Sequence, residues 1–246
     1  MALREEFEHT GNWLFRRRSY LPLLMTLLVL LALRKFHYPA HSHRLDRLWE
    51  IGCFLLSCVG LGIRILVTGY APKGTSGRGT GEQVAETLTT TGIYAIVRHP
   101  LYLGNFFMGL GVSLFIRRWW FSLIYTLVFW LYYERIMFAE EEFLRHKFGE
   151  RYLAWAQRTP AFLPRLANWQ PPGRPFSLKW VLRRENSSFF AILVTFTLLD
   201  LVSEFIVNRR LTFDRMWVAF FSVGLVVYLT IRVLSKKTTL LSVTNR

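Results

Sequence analysis

An all-α, polytopic transmembrane bundle of about six spans is the fold this sequence predicts, and three observations predict it. Apolar residues make up 52% of the 246 positions and aromatics 16%, against 19% charged. The apolar residues gather into six runs, each approaching the ~20 residues a helix needs to cross a bilayer. The net charge of +15 sits almost wholly in the connections between those runs, the pattern of basic loops flanking spans. The same figures exclude other classes. A disordered basic tail would lack so many Phe, Trp and Leu residues. A soluble nucleic-acid binder would share the charge but not the runs, so no nucleic-acid partner is expected. Two cysteines are too few for a secreted disulfide scaffold.

The first run, Ser19–Leu33, follows Arg16, Arg17 and Arg18 and ends at Arg34 and Lys35 with no small-residue cleavage site, so a retained span is expected rather than a cleaved leader. As a helix it extends only ~22 Å against a hydrocarbon core of ~30 Å, so it must thin the bilayer or extend into its flanks. The second run is Leu48–Gly69. Its Cys53 and Cys58 do not share a helical face, and they read as buried apolar residues rather than a disulfide or metal pair. Pro100–Ile116 and Trp119–Phe138 form the next two runs, and Ser188–Val207 and Arg215–Leu234 the last two. Alternating the connections across a membrane places 19 Lys and Arg on the side that holds both termini and 9 on the other. The excess predicts cytoplasmic N- and C-termini. His37, His41 and His43 fall in a polar link on the opposite side. With no close Cys or Glu beside them they read as solvated, and no metal site is expected.

The third and fourth runs carry the chemistry. The chain enters as GIYAIVRHPLYLGN, turns at Arg117 and Arg118, and returns as ERIMFAEEEFLRHKFGERYLAW. Pro100 suits a first helical turn, where its missing N–H costs nothing. Seventeen residues out and twenty back end at one interface. Arg98, His99 and Tyr102 therefore lie beside Glu140, Glu141 and Glu142, and a cation, an imidazole, a phenol and carboxylates meet at one edge of the bundle. Such charges often only meet water, and such aromatics often form an interfacial belt. The carboxylate run continues into helical sequence rather than a loop, however, and Gly104 and Gly109 leave one side of the third span open to close approach.

RHPLYLG followed by AEEEFLRHKFGERYLAWAQRTPAFLP resembles the isoprenylcysteine carboxyl methyltransferase and phospholipid methyltransferase family. That family shows R-H-P-x-Y-x-G, a hydrophobic hairpin, then E-E-x-x-L, a G-x-x-Y and a closing F-x-P. Counted back from Gly149, the paired acids fall on Glu140 and Glu141, with Glu142 an extra acid. The resemblance covers about residues 60–165. It divides the chain into N-terminal spans at 1–59, a methyltransferase core at 60–165, an interfacial segment at 166–187 and an accessory hairpin at 188–246.

The resemblance implies an integral membrane enzyme that uses S-adenosyl-L-methionine at the cytoplasmic ends of the hairpin. Tyr94, Arg98, His99, Pro100, Tyr102 and Gly104 would then form one wall of the cofactor site, and Glu140 and Glu141 the other. Carboxylates suit a sulfonium, an ammonium or ribose hydroxyls. Arg98 and His99 suit a carboxylate, and Tyr102 suits an adenine or a cation over its ring. The candidate catalytic residues are Arg98, His99, Glu141 and Arg64. Arg64 is a lone cation within the second run, where a charge usually faces a bundle interior. It would orient an acidic acceptor head group, unless it simply snorkels to the interface. The acceptor implied is a lipid, prenyl or other amphiphilic molecule methylated on a carboxylate, amine or hydroxyl, and the expected home is a bacterial inner membrane with the site facing the cytoplasm. Two alternatives stay open: an NADPH-dependent membrane reductase of the sterol-reductase type, and a lipid-binding protein without catalysis.

Three features lie outside that core reading. The Gly-rich segment at 71–90 reads as a lid or as a plain connector, since no strand precedes its glycines to make a phosphate loop. The segment after Pro164, with its Pro, Trp and Arg, suits the membrane surface. Asp200 and Glu204 stand one helical turn apart near Arg209 and Arg210 and read as an interfacial ion cluster.

Overall fold

The structure, a computed structural model, describes residues 2–17, 28–29, 32–33, 43–72 and 85–241. Most of the expected first span, most of the Gly-rich segment, His37, His41 and the side chain of His43 lie outside the described residues. The described elements are helical. In chain order they are α1 (Leu3–Arg16), α2 (His43–Tyr70), the single turn α3 (Ile93–Ile96), α4 (Pro100–Phe115), α5 (Trp119–Phe148), α6 (Glu150–Ala156), α7 (Leu178–Asn208) and α8 (Arg215–Lys237). A short 3-10 turn, Leu166–Asn168, lies between α6 and α7.

Among the described residues, three helices are long and apolar enough to cross a membrane: Arg44–Tyr70 within α2, and all of α7 and α8. Helix α4 is apolar but shorter, at 16 residues. Helix α5 has 30 residues and carries Glu140, Glu141, Glu142, Arg145 and Lys147 beyond the apolar run. The protein is an integral membrane protein of helical architecture.

Close approach of α2 and α4 organises the bundle, and glycine permits it. A Cβ at Gly60 would lie 2.4 Å from the Gly104 carbonyl oxygen, and one at Gly111 would lie 2.2 Å from Ser57 Oγ. Small residues let helix backbones meet where lipid offers no hydrophobic drive. Ser57 adds a hydrogen bond to the Met108 carbonyl at 2.8 Å. Around this seam Cys53, Leu61, Phe115, Ile116, Phe121, Phe196 and Trp217 form the main core. Phe196 stacks on Trp217 and meets Phe54 and Phe115 edge-on, geometries that aromatic pairs prefer.

The far end of the bundle is tied by charge. Arg117, at a left-handed φ of 59° in the α4–α5 turn, pairs with the buried Asp46 of α2. Arg47 pairs with Asp214 at 3.0 Å, and Trp217 donates to Glu50 at 3.0 Å. In the pair expected to form an ion cluster, Glu204 accepts from Asn208 and Thr212 while Asp200 is buried.

Two elements differ from what hydropathy alone suggests. Residues 3–16 form a helix that packs along α5. Gly11 lies so close to the Arg135 carbonyl that a Cβ would meet it at 2.1 Å, Tyr132 donates to the Leu14 carbonyl at 3.2 Å, and Arg135 donates to Thr10 at 3.1 Å. Helix α7 begins at Leu178, well before the apolar run at Ser188, because the Ser177 hydroxyl accepts from the Trp180 N–H and caps it. The interfacial expectation for 166–187 therefore covers two kinds of structure. An irregular stretch comes first, then the opening turns of α7, in which Trp180, Val181, Glu185 and Asn186 are buried.

Candidate active site at the end of the helical hairpin

The segment Val97–His99 runs between α3 and α4 and is fastened from outside. The Arg98 N–H donates to the Pro160 carbonyl at 2.9 Å and the His99 N–H to the Ala161 carbonyl at 3.1 Å. Arg165 N–H returns to the Ile96 carbonyl at 2.9 Å, and Trp155 Nε1 donates to the Tyr94 carbonyl at 3.1 Å. Phe162, within the same fastening strip, packs on Phe106, Phe129 and Trp130. Pro160, Ala161 and Arg165, which flank the closing F-L-P, thus clamp the R-H-P stretch by backbone pairing, and α4 starts with Pro100 at its first turn.

On the facing wall, α5 carries Glu140, Glu141 and Glu142 past the apolar run. Gly149, at φ 52°, then breaks the helix and lets α6 turn away, a backbone setting that glycine adopts without penalty. Glu141 accepts from Arg98 Nη1 at 3.1 Å and lies 3.0 Å from His99 Nε2. Glu140 accepts from the Tyr102 hydroxyl at 2.5 Å and faces His99 Nδ1 at 3.5 Å. Both ring nitrogens of the buried His99 therefore face carboxylates, an arrangement satisfied only by the imidazolium, which donates from both. Burial opposes that charge, but the two carboxylates outweigh it and hold the His99 pKa above its ordinary value. Burial likewise opposes ionisation of Glu141, but the His99 hydrogen bond and charge and the Arg98 charge outweigh it and hold its pKa below the usual carboxylate value.

The signs fix a pH dependence. The His99 contribution to stability is complete below its ordinary value of 6.5 and is lost as pH rises through its raised value. The Glu141 contribution is complete above 4.5 and is lost as pH falls through its lowered value. The melting-temperature gap between wild type and His99→Gln should therefore be widest between pH 4.5 and 6.5 and close on the alkaline side. A gap that is flat across both limits would contradict the ionised pairing.

Tyr94, Arg98, His99, Pro100, Tyr102, Glu140 and Glu141 converge on this one corner. The remaining sequence candidates lie behind it. Gly104 faces α2: a Cβ there would meet Arg64 Cγ at 2.7 Å and the Gly60 carbonyl oxygen at 2.8 Å. Its missing side chain leaves the volume in which the Arg64 stem lies. Arg64 does not snorkel. Its guanidinium donates to Glu185 through Nε at 2.9 Å and Nη2 at 3.1 Å, and to Asn105 Oδ1 through Nη1 at 2.6 Å. The Tyr102 ring packs near those of His99 and Tyr133, at 5.8 and 4.7 Å between centroids, and its hydroxyl donates to Glu140. Gly109 approaches the Tyr125 ring, where a Cβ would meet the hydroxyl oxygen at 2.2 Å.

Sequence reasoning gave no role to Tyr152 or Phe15, and it set Glu142 beside Arg98 with the other two acids. Tyr152, two residues into α6, is 1% exposed, and its hydroxyl feels the charges of both Glu141 and Arg98 without forming a well-shaped hydrogen bond to either. Its place in the G-x-x-Y stretch was the available signal. Glu142, 2% exposed, turns away from Arg98 and pairs with Arg4 of α1 at 2.5 Å. Phe15 of α1 packs with Tyr102, Ile136 and Met137. No periodicity links residue 4 or 15 to this corner.

Arg98 Nε and the Tyr152 hydroxyl are buried here without a well-aligned hydrogen bond. Buried polar atoms left unpaired are costly and mark places where a ligand completes the bonding. A donor fork and a phenol beside two carboxylates suit a zwitterion that also carries hydroxyls. S-adenosylmethionine, with an amino-acid end, a ribose and a sulfonium, has that set of groups, so the residues present fit it.

Residues 52–151 match the family described as phospholipid methyltransferase. Over 77 residues the chain is 35% identical to the protein-S-isoprenylcysteine O-methyltransferase of Schizosaccharomyces pombe, covering 31% of this chain and 33% of that one. With the Mus musculus protein of the same name it shares 37% over 78 residues, covering 32% and 28%. A longer match joins it to the nickel-cobalt-cadmium resistance protein NccN of Alcaligenes xylosoxydans xylosoxydans, at 33% over 158 residues, covering 63% of this chain and 68% of that one. The chain thus spans about a third of the length of the isoprenylcysteine relatives and about two thirds of NccN. No solved structure matches it.

Proposed function

Because the chain belongs to the isoprenylcysteine carboxyl methyltransferase and phospholipid methyltransferase family, we propose that it is an S-adenosylmethionine-dependent methyltransferase acting at the membrane surface on a lipid, prenyl or other amphiphilic acceptor. The observation that carries this reading is the corner in which Arg98, His99, Tyr102, Glu140 and Glu141 converge with two buried polar atoms that lack a well-aligned hydrogen bond.

When bound, S-adenosylmethionine supplies an activated methyl group on a sulfonium sulfur. Arg98, through its Nε, and Tyr152, through its hydroxyl, would hold the carboxylate of the amino-acid end. Glu140 and Glu141 would accept from its ammonium or ribose hydroxyls with the lone pairs left after their bonds to Tyr102, His99 and Arg98. Tyr94 and Pro100 complete the wall by holding backbone and packing, and Gly104 supports it from behind by leaving room for the Arg64 stem. In-line methyl transfer is mostly alignment and exclusion of water, and the clamped Val97–His99 segment serves both. A carboxylate acceptor needs no base. An amine or hydroxyl acceptor would need a base, a role open to Glu141 or His99. Arg64 belongs to this set as a supporting cation. Its charge is balanced by Glu185, so an acidic head group would have to compete for it.

The charge asymmetry of the connections supports a site facing the cytoplasm, and we read the membrane as a bacterial inner membrane. Membranes containing the wild-type chain, incubated with S-adenosylmethionine labelled in its methyl group, should transfer label to an amphiphilic, organic-extractable fraction, and Arg98→Ala membranes should not. Label that stays in the donor in both would count against the proposal.

A further inference from the structure

We propose that Glu185 of α7 is a positioning residue for the methyl-donor site, acting through Arg64 and Asn105. The inference rests on the methyltransferase reading and extends the site into the C-terminal hairpin, which lies outside the residues 52–151 that match the family.

Glu185 is 5% exposed and meets the Arg64 guanidinium edge-on with both carboxylate oxygens, at 2.9 and 3.1 Å. The Thr68 hydroxyl, also buried, donates to the same carboxylate at 3.1 Å. A fork-to-fork pair of this kind fixes the plane of the guanidinium as well as its place. Held so, Arg64 points Nη1 at Asn105 Oδ1, 2.6 Å away.

Arginine can only donate. Asn105 must therefore turn its oxygen to Arg64 and its amino group the other way, where Nδ2 lies 3.5 Å from the Tyr133 hydroxyl. The Tyr133 ring packs 4.7 Å from the Tyr102 ring, and Tyr102 holds Glu140 at 2.5 Å. One polar and aromatic path thus runs from α7 through α2, α4 and α5 to the carboxylate wall. Gly104 is part of it, since only a residue without a side chain leaves room for the Arg64 stem.

A buried ion pair is a poor way to gain stability, since desolvation offsets most of its attraction and apolar residues of similar volume serve as well. Its presence here, one helix behind the Glu140 wall, is accounted for by orientation of Asn105. The structure therefore makes α7 a working part of the site rather than an accessory.

The test uses the full chain in detergent, with S-adenosylmethionine affinity measured by calorimetry beside the melting temperature. Glu185→Gln should weaken affinity about tenfold, the scale of coupling through a contiguous network, while Glu185→Asp stays within about threefold of wild type. The double variant Arg64→Met with Glu185→Leu removes both charges while keeping volume, so it should stay folded and still lose affinity. Asp214→Asn, which breaks the Arg47 pair at the far end, should leave affinity unchanged whatever it does to melting. Wild-type affinity in both Glu185→Gln and the double variant would overturn the proposal. A wild-type chain that binds no S-adenosylmethionine would instead overturn the methyltransferase reading on which it rests.

Discussion

Glu141→Gln should cost the chain most of its affinity for the methyl donor, about 30-fold or more, while Glu142→Gln should leave that affinity near wild type. The two positions are neighbours in a run of three acids, so the contrast tests geometry rather than composition. Glu141 is the carboxylate shared by Arg98 Nη1 and His99 Nε2. A glutamine there turns an amide donor toward one of two cationic donors and leaves it unpaired. Hydrogen bonds to charged groups contribute about 1.5–3 kcal/mol each, and each 1.4 kcal/mol is tenfold in binding. Part of the loss falls on stability, because removing one member of a buried charged set leaves the others uncompensated. Glu142 pairs instead with Arg4 and, at 3.5 Å, with Arg145. Its neutralisation loosens α1 from α5 without touching the Arg98 corner. Calorimetry with the two purified variants reads the difference directly, and equal losses in both would mean that the acids act only as a charged patch.

Gly60→Val should lower the melting temperature by about 6–12 °C, as expected for overpacking that costs about 3 kcal/mol in a chain of this size. Valine would place its Cβ 2.4 Å from the Gly104 carbonyl oxygen and 2.6 Å from the Met108 amide nitrogen. Both are backbone atoms of a helix and neither can rotate away, so α2 and α4 must part. The move also displaces Arg64 from its seat on Gly104. Gly62 is the control. It lies two residues along the same helix, and a Cβ there meets nothing within 4 Å. Gly62→Ala should therefore match or slightly exceed wild type, since alanine is the better helix former. Thermal unfolding followed in detergent separates the cases, and a Gly60→Val chain as stable as Gly62→Ala would show that the seam is loose.

The hairpin was legible in the sequence because its information is local. Pro100 marks a helix start, Arg117 and Arg118 mark a turn, and two arms of similar length bring residue 98 beside residue 141. Side-chain pairing across large separations was not legible. Arg64 and Glu185 stand 121 positions apart and Arg4 and Glu142 stand 138 apart, and no periodicity selects one distant acid from another. Gly104 reads as a gap in a helix face, which it is, but spacing does not say that an arginine stem from α2 fills it. Helix α1 carries charges along one side, so it lacks the uninterrupted apolar run by which spans are recognised, and its docking depends on Gly11, Phe15 and Arg4 meeting features of α5 that come more than a hundred residues later.

Calorimetric titration of the purified wild-type chain with S-adenosylmethionine, S-adenosylhomocysteine and NADPH tests the central claim most directly. Micromolar binding of the first two at one shared site, with none of NADPH, is the predicted result. Binding of NADPH alone would point to a reductase built on the same hairpin, and binding of none of the three would contradict a methyl-donor site at Arg98, His99, Glu140 and Glu141.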